Sequence, residues 1–410
     1  MKSGKSNKIW FQSSMSRRVF LRQFGITASA ISLSPIFLNR SKVALAQASK
    51  VKAFLVKNGD CFQNTGKIWE LLGGPSKYID PTDIVVIKGN AQWPYQGYTH
   101  TGCIKGVIDK ILEIPGFSGE ILICDNVQAC GGAYGFEATL SERTHNWPDH
   151  NWNSLAAQYR ANGKPVATKR WLNSQGDITG PGDGEGWIRS FFSFHGWNTY
   201  LSYPIFESPL TPGRMIDMKN GVWENGNYTG RKVKTIFMPT LNNHGYGSED
   251  YAGATSAVKS FLGATEIHTC SGGTFRNYYD MHSSTFSRNR ADYAGELTAR
   301  YINTMYAPVL YITAAMWSGH ESRTGAATET KTVLACENPA TLDYVACKNV
   351  ISPYASWLNP DQDNNTRKQI NGCISGGVGT INPTEFEVIS YDFNTPDTTP
   401  PAPPTGLRIY

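Results

Sequence analysis

Six residues of this chain have the types and positions needed to handle a small anion. Lys88 and Asn90 follow an apolar run, Ile84-Val85-Val86-Ile87, and Asp125 stands in Cys124-Asp125-Asn126, where a second run, Ile121-Leu122-Ile123, stops. His244 sits in a polar, Gly-flanked loop, Asn242-Asn243-His244-Gly245-Tyr246-Gly247, behind a third run, Ile236-Phe237-Met238. Lys259 lies on the helix expected next, and Asp343 in the first turns of a helix opened by Asn338-Pro339. In this reading His244 is the general acid or base, with Lys88 and Asp343 beside it as catalytic candidates. Asn90, Asp125 and Lys259 are the candidate substrate contacts, and Gly89 would let backbone come close to a ligand. Lys88 and Lys259 would hold a carboxylate or phosphate, while Asp125 or Asp343 would orient the histidine. A second use of the same groups is a metal site built from His244 with Asp125 or Asp343. Each also has a plain structural use: a lysine can pair with a loop acid, and Asp343 suits the dipole of its own helix.

The elements that must position these groups are readable from periodicity. Between the first two apolar runs, Ile104, Val107, Ile108, Ile111 and Leu112 fall at i, i+3, i+4, i+7 and i+8, one face of a helix. Strand, helix and strand in that order predict a βαβ unit with parallel strands. The polar turns 88–90 and 124–126 would then emerge on one edge of the sheet, where open α/β sheets bind ligands. Further strands are expected over 51–56, 234–238, 309–313, 332–336 and 385–391. Helices are expected near 69–72 with a glycine C-cap, over 153–161, from Ser248 to Leu262, over 291–306, and after Asn338. The fold class is α/β, a mostly parallel sheet flanked by helices. A Trp-rich irregular insertion over about 139–208 carries Trp147, Trp152, Trp171, Trp187 and Trp197. Those rings either pack the insert or line a carbohydrate or aromatic cleft.

Other patterns are weaker. His145 and His150 stand at i, i+5 around Pro148, the wrong spacing for a helical zinc pair. Gly180-Pro181-Gly182-Asp183-Gly184-Glu185-Gly186 follows no strand and lacks dinucleotide spacing. There is no Gly-x-Ser-x-Gly elbow. The eight cysteines contain no Cys-x-x-Cys pair, so ferredoxin-type and zinc-ribbon patterns are missing and no cofactor is assigned. Cys124 and Cys130 could close a short loop, whereas Cys336 and Cys347 sit in apolar runs as buried thiols.

The formal charge of +5 is misleading. Residues 1–48 hold eight of the 38 lysines and arginines and no acid, so the remainder carries 30 basic against 33 acidic groups. Nucleic acid is therefore not an expected partner. The basic leader has the form of a signal peptide. Ser16-Arg17-Arg18-Val19-Phe20-Leu21-Arg22 is a twin-arginine motif, followed by a short apolar stretch and Ala46-Gln47-Ala48 as a cleavage pattern. Export by the twin-arginine translocase to the periplasm or exterior is expected, with no stable membrane insertion. One α/β domain should fill 49–393, and a Pro-rich tail 394–410.

The order of three blocks resembles the family called domain of unknown function 362. They are Val85-Val86-Ile87-Lys88-Gly89-Asn90; Met238-Pro239-Thr240-Leu241-Asn242-Asn243-His244 with Thr255-Ser256-Ala257-Val258-Lys259-Ser260-Phe261-Leu262-Gly263; and Val333-Leu334-Ala335-Cys336-Glu337-Asn338-Pro339-Ala340-Thr341-Leu342-Asp343. The family has proline where Gly89 stands, lysine where Asn242 stands and aspartate where Glu337 stands. The resemblance implies positions for a site and no reaction. The expected function is an enzyme acting on a small or carbohydrate-derived anionic substrate at the C-terminal edge of its sheet. The alternatives are a non-catalytic extracytoplasmic ligand-binding protein and a metal or redox cofactor protein.

Overall fold

The computed structural model describes residues 49–126, 132–171, 176–245, 247, 249–266 and 290–395, apart from the side chain of Trp197. The leader, Cys130, Ser248 and the tail beyond 395 lie outside them.

Eight strands form the path of the main sheet: β1 (Val51–Lys57), β2 (Ile84–Gly89), β3 (Glu120–Asn126), β4 (Val166–Trp171), β5 (Val233–Met238), β6 (Leu310–Gly319), β7 (Ala327–Cys336) and β8 (Phe386–Asp392). Their spatial order is β8-β1-β7-β6-β5-β2-β3-β4. Every neighbouring pair is parallel except those made by β7, which runs against β1 and β6. The α/β, mostly parallel fold is therefore as expected. β2 and β3 pair in register from Ile84↔Glu120 to Lys88↔Cys124, and helix α2 (Thr101–Leu112) makes their crossover.

Both faces of the sheet are covered. Val85, Ile87, Ile121 and Ile123 pack with Ile104, Val107, Ile108 and Ile111 of α2 on one side. Ile84, Val86, Leu122 and Cys124 pack on the other side with Phe237, Phe261 and Tyr301. This two-sided burial explains why β2 and β3 read as continuous apolar runs. Helix α1 (Cys61–Leu72) opens with a capping box from Asp60 and ends at Gly73, where φ is 90°. The helix over Pro339–Ala346 opens as expected, with Asn338 Oδ1 accepting from the Thr341 amide at 3.1 Å.

The segment 139–208 is more regular than expected. Helix α3 (Trp152–Ala161) and β4 belong to the main sheet as a further parallel crossover. β4 escaped notice because it is the edge strand, and its centre, Thr168-Lys169-Arg170, is polar and only half-buried. The chain then builds a second, antiparallel sheet from Gly186–Phe194, Trp197–Glu207, Met215–Asp217, Gly221–Glu224 and Asn227–Tyr228. Leu201, Ile205, Phe206, Ile216 and Val222 share one core with Ile84 and Val86. Arg189 clamps this sheet to Glu266 with two bonds of 2.7 Å, and Arg214 bridges Glu224 to buried Glu120. Trp152, Trp171 and Trp187 are fully buried in the core, so these rings pack the structure and do not line a cleft.

Two further expectations change. The helix expected from Ser248 to Leu262 is a short strand, Ala254–Thr255, then one helical turn, Ala257–Ser260, and a 3-10 turn, Phe261–Ala264. Gly253, at φ 66°, lies just ahead of that strand, in a chain too irregular for a helix. At Gly89 the close neighbour is the core and not a ligand: a Cβ there would meet the Trp152 ring at 2.6 Å. Cys336 and Cys347 are buried thiols, as expected, and Cys124 is a buried free thiol. No helix among the described residues is long and apolar enough to cross a membrane.

Candidate active site

Lys88 is the last but one residue of β2, on the same face as Ile84 and Val86, and its side chain is buried. Asp125 stands one place from the end of neighbouring β3. Parallel register thus brings a cation and an anion to the same sheet edge, and Lys88 Nζ lies 3.2 Å from Asp125 Oδ1. Lys88 also donates to Ser260 Oγ at 3.3 Å, and Asp125 Oδ2 accepts from the Ala91 amide at 2.8 Å. Burial works against both charges, pulling the Lys88 ammonium down and the Asp125 carboxyl up, while their mutual attraction opposes it. The turn Phe261–Ala264 closes over the pair. A Cβ at Gly263 would fall 2.2 Å from Asp125 Oδ1 and 2.6 Å from Lys88 Nζ, so only glycine lets the backbone come this near.

Beside this pair lies a cavity of about 40 Å³. Lys88, Asn90, Asp125, His244 and Lys259 all line it, together with Trp93, Thr255 and Arg323. Five of the six candidates therefore converge. His244 Nδ1 hydrogen-bonds with Thr255 Oγ1 at 2.7 Å, and its backbone N–H donates to the Gly253 carbonyl at 3.0 Å. Lys259 is buried on the turn Ala257–Ser260 and donates to the Ala252 carbonyl. Burial holds its amine well below the usual lysine range, and the Arg323 charge pushes the same way.

Asp343 is the candidate that does not reach the cavity. Because β7 runs antiparallel, its following helix starts at the opposite edge and crosses behind the site. Asp343 accepts from the Ala257 and Val258 amides at 2.7 and 2.9 Å, so it anchors the turn that carries Lys259. Burial pushes its carboxyl up to about 6, against the pull of those amides.

Arg323 is the site residue that sequence reasoning missed. Ser322-Arg323-Thr324-Gly325 reads as a solvated hairpin turn, and only its anchoring makes it part of the site. Gln96 Nε2 donates to the Gly325 carbonyl at 3.1 Å, and Asn243 Nδ2 to the Glu321 carbonyl at 3.0 Å. Asn242 ties the same region together, donating to the Gln96 carbonyl at 3.0 Å and accepting from the Gly319 amide at 2.7 Å. The Arg323 guanidinium lies 4.8 Å from the Trp93 ring centre, a cation–π contact at the cavity wall.

The arrangement suits an anion. Lys88, Lys259, Arg323 and His244 line the cavity together with one carboxylate, which Lys88 already engages. Among the described residues no group of three or more His, Cys, Asp and Glu is placed to ligate a metal. His145 and His150 go separate ways, His145 to Gln96 Oε1 and the Trp317 ring, His150 to Ser154 Oγ.

Lys88→Met leaves the Asp125 carboxylate buried without its cation, and should cost about 3–5 kcal/mol at neutral pH. In that variant the folded-state pKa of Asp125 rises further above its unfolded value of about 3.9. A raised carboxyl contributes stability that is full below the unfolded pKa and lost as pH rises through the folded one. The deficit should therefore be smaller near pH 4 than near pH 7, and Lys88→Met with Asp125→Leu should recover most of it. Urea unfolding at both pH values reads this. A small deficit that ignores pH would show the two charges to be independent.

No family model, no curated protein and no solved structure matches the chain.

Proposed function

We propose that this protein is an exported enzyme that acts on a small or carbohydrate-derived anionic substrate at the Lys88/His244 edge of its sheet. The observation that carries the reading is the convergence of Lys88, Lys259, Arg323 and His244 on one small cavity at the ends of parallel strands. Lys259 and Arg323 bind the anionic group. Lys88 and Asp125 form the fixed floor beneath it, and the loop 239–245 presents His244 as the proton-transferring group. Thr255 fixes the ring through its Nδ1, which orients the imidazole toward the cavity it lines. The buried positions of Trp171 and Trp187 weigh against an aromatic ligand cleft in the insertion, so a binding protein built on that cleft is the poorer reading.

The test is kinetic. Against a panel of small carboxylates and sugar acids, His244→Ala should lower turnover by roughly 10²–10⁴-fold while substrate still binds. Arg323→Gln should act mainly on affinity, weakening it on the order of tenfold. Variants that fold normally and keep every activity and affinity of the native protein would end the proposal.

Export rests on Arg17-Arg18 and the Ala46-Gln47-Ala48 pattern. Replacing both arginines by lysine should leave the protein inside the cell. Undiminished export of that variant would assign the leader to another route.

A further inference from the structure

Asn90 brings an amide, and with it an acceptor, to a cavity wall that also carries Lys88, Lys259 and Arg323. Its main chain is fully engaged: the amide donates to Thr99 Oγ1 at 2.8 Å, and the carbonyl accepts from the Thr99 amide at 2.9 Å. Thr99 Oγ1 in turn donates to the Met238 carbonyl at 2.5 Å, so the turn after β2 is tied to the end of β5 and the Asn90 side chain is held at the cavity wall. Its Oδ1 is buried and has no hydrogen-bond partner among the described residues. A buried acceptor left unmet costs about 1–3 kcal/mol, and such atoms in folded proteins call for an explanation.

Lys88 is engaged with Asp125 and Ser260, which leaves the anion to Lys259 and Arg323; a charged lysine and an arginine are donors only and meet a ligand through its acceptor oxygens. A bare carboxylate or phosphate would answer them and still leave Asn90 Oδ1 unmet. The site is completed by a molecule that brings an anion and a hydrogen-bond donor together. The space sets how far apart these two can be. About 40 Å³ is room for roughly three water-sized centres, enough for a carboxylate and the substituent on the next carbon. The local charge sets what the donor is. An ammonium would bring a second positive charge beside the Arg323 guanidinium, whereas a hydroxyl carries no charge to be repelled.

On the reading of this cavity as an anion site, we infer that its ligand is a small hydroxy acid, with the hydroxyl on the carbon next to the carboxylate donating to Asn90 Oδ1. Sugar acids present this same grouping at one end, and the remainder of such a molecule would extend toward Trp93. Asn90 is then the residue that distinguishes hydroxy acids from plain carboxylates.

Calorimetric titration of the purified protein with lactate, propionate and alanine tests this, because the three differ only in the substituent beside the carboxylate. Lactate should bind about tenfold more tightly than propionate, with alanine weaker than lactate. Asn90→Leu should bring the lactate-to-propionate ratio close to one, and Arg323→Gln should weaken both. Equal binding of lactate and propionate by the native protein would overturn the hydroxy-acid inference and leave the anion site standing. Preference for alanine would do the same, making the ligand an amino acid. Failure of all three to bind, with phosphate bound instead, would overturn the inference while keeping an anion site. Failure of every one of these anions would remove both.

Discussion

A lysine and an aspartate buried together at the ends of two parallel strands govern this structure. Neither charge is stable alone where water is excluded, and each is tolerable only with the other within contact distance. That requirement constrains much around them. β2 and β3 must be parallel and in register, Ala91 must turn its amide to Asp125, and Ser260 must face Lys88. Gly263 must be without a side chain so that the covering turn can close. A protein seeking only stability could fill this place with apolar side chains at no loss. Keeping an ion pair there makes sense as the rigid floor of a site.

Support for that floor comes from buried amides and carboxylates one layer out. Asn242 and Asn243, both fully buried, join the loop after β5 to the turn after β2 and to the hairpin between β6 and β7. Asp343 holds the turn that carries Lys259 from behind. The three loops contribute His244, Asn90 and Arg323, so their mutual geometry is fixed by hydrogen bonds and does not depend on loop stiffness alone. Sites held in this way lose little entropy on binding.

Much of this was legible in the sequence, for physical reasons. Strands buried on both faces leave unbroken apolar runs, and Lys88 and Asp125 showed themselves as polar residues placed where those runs stop. The helix face of Ile104 to Ile111 and the caps at Gly73 and Asn338 are local signals, written within a few residues. What escaped depends on distant contacts. β4 is an edge strand with a polar centre, so its pattern is that of a loop. The antiparallel course of β7 has no local mark, and it moved Asp343 from the candidate site to the layer behind it. Arg323 looks like any arginine in a hairpin turn, and only Gln96 and Asn243, bonded to the carbonyls of Gly325 and Glu321 on either side of it, mark the turn as part of the site. Gly89 and Gly263 each permit a close approach that is set by a partner far along the chain, the Trp152 ring for one and the Lys88–Asp125 pair for the other.

The proposed site binds an anion above an intact Lys88–Asp125 pair. Crystal structures of the protein grown with lactate and, separately, with phosphate put that to the test: the anion should lie within hydrogen-bond reach of Lys259 and Arg323, with Lys88 still on Asp125. A cavity filled only by water in crystals grown with either anion would contradict it.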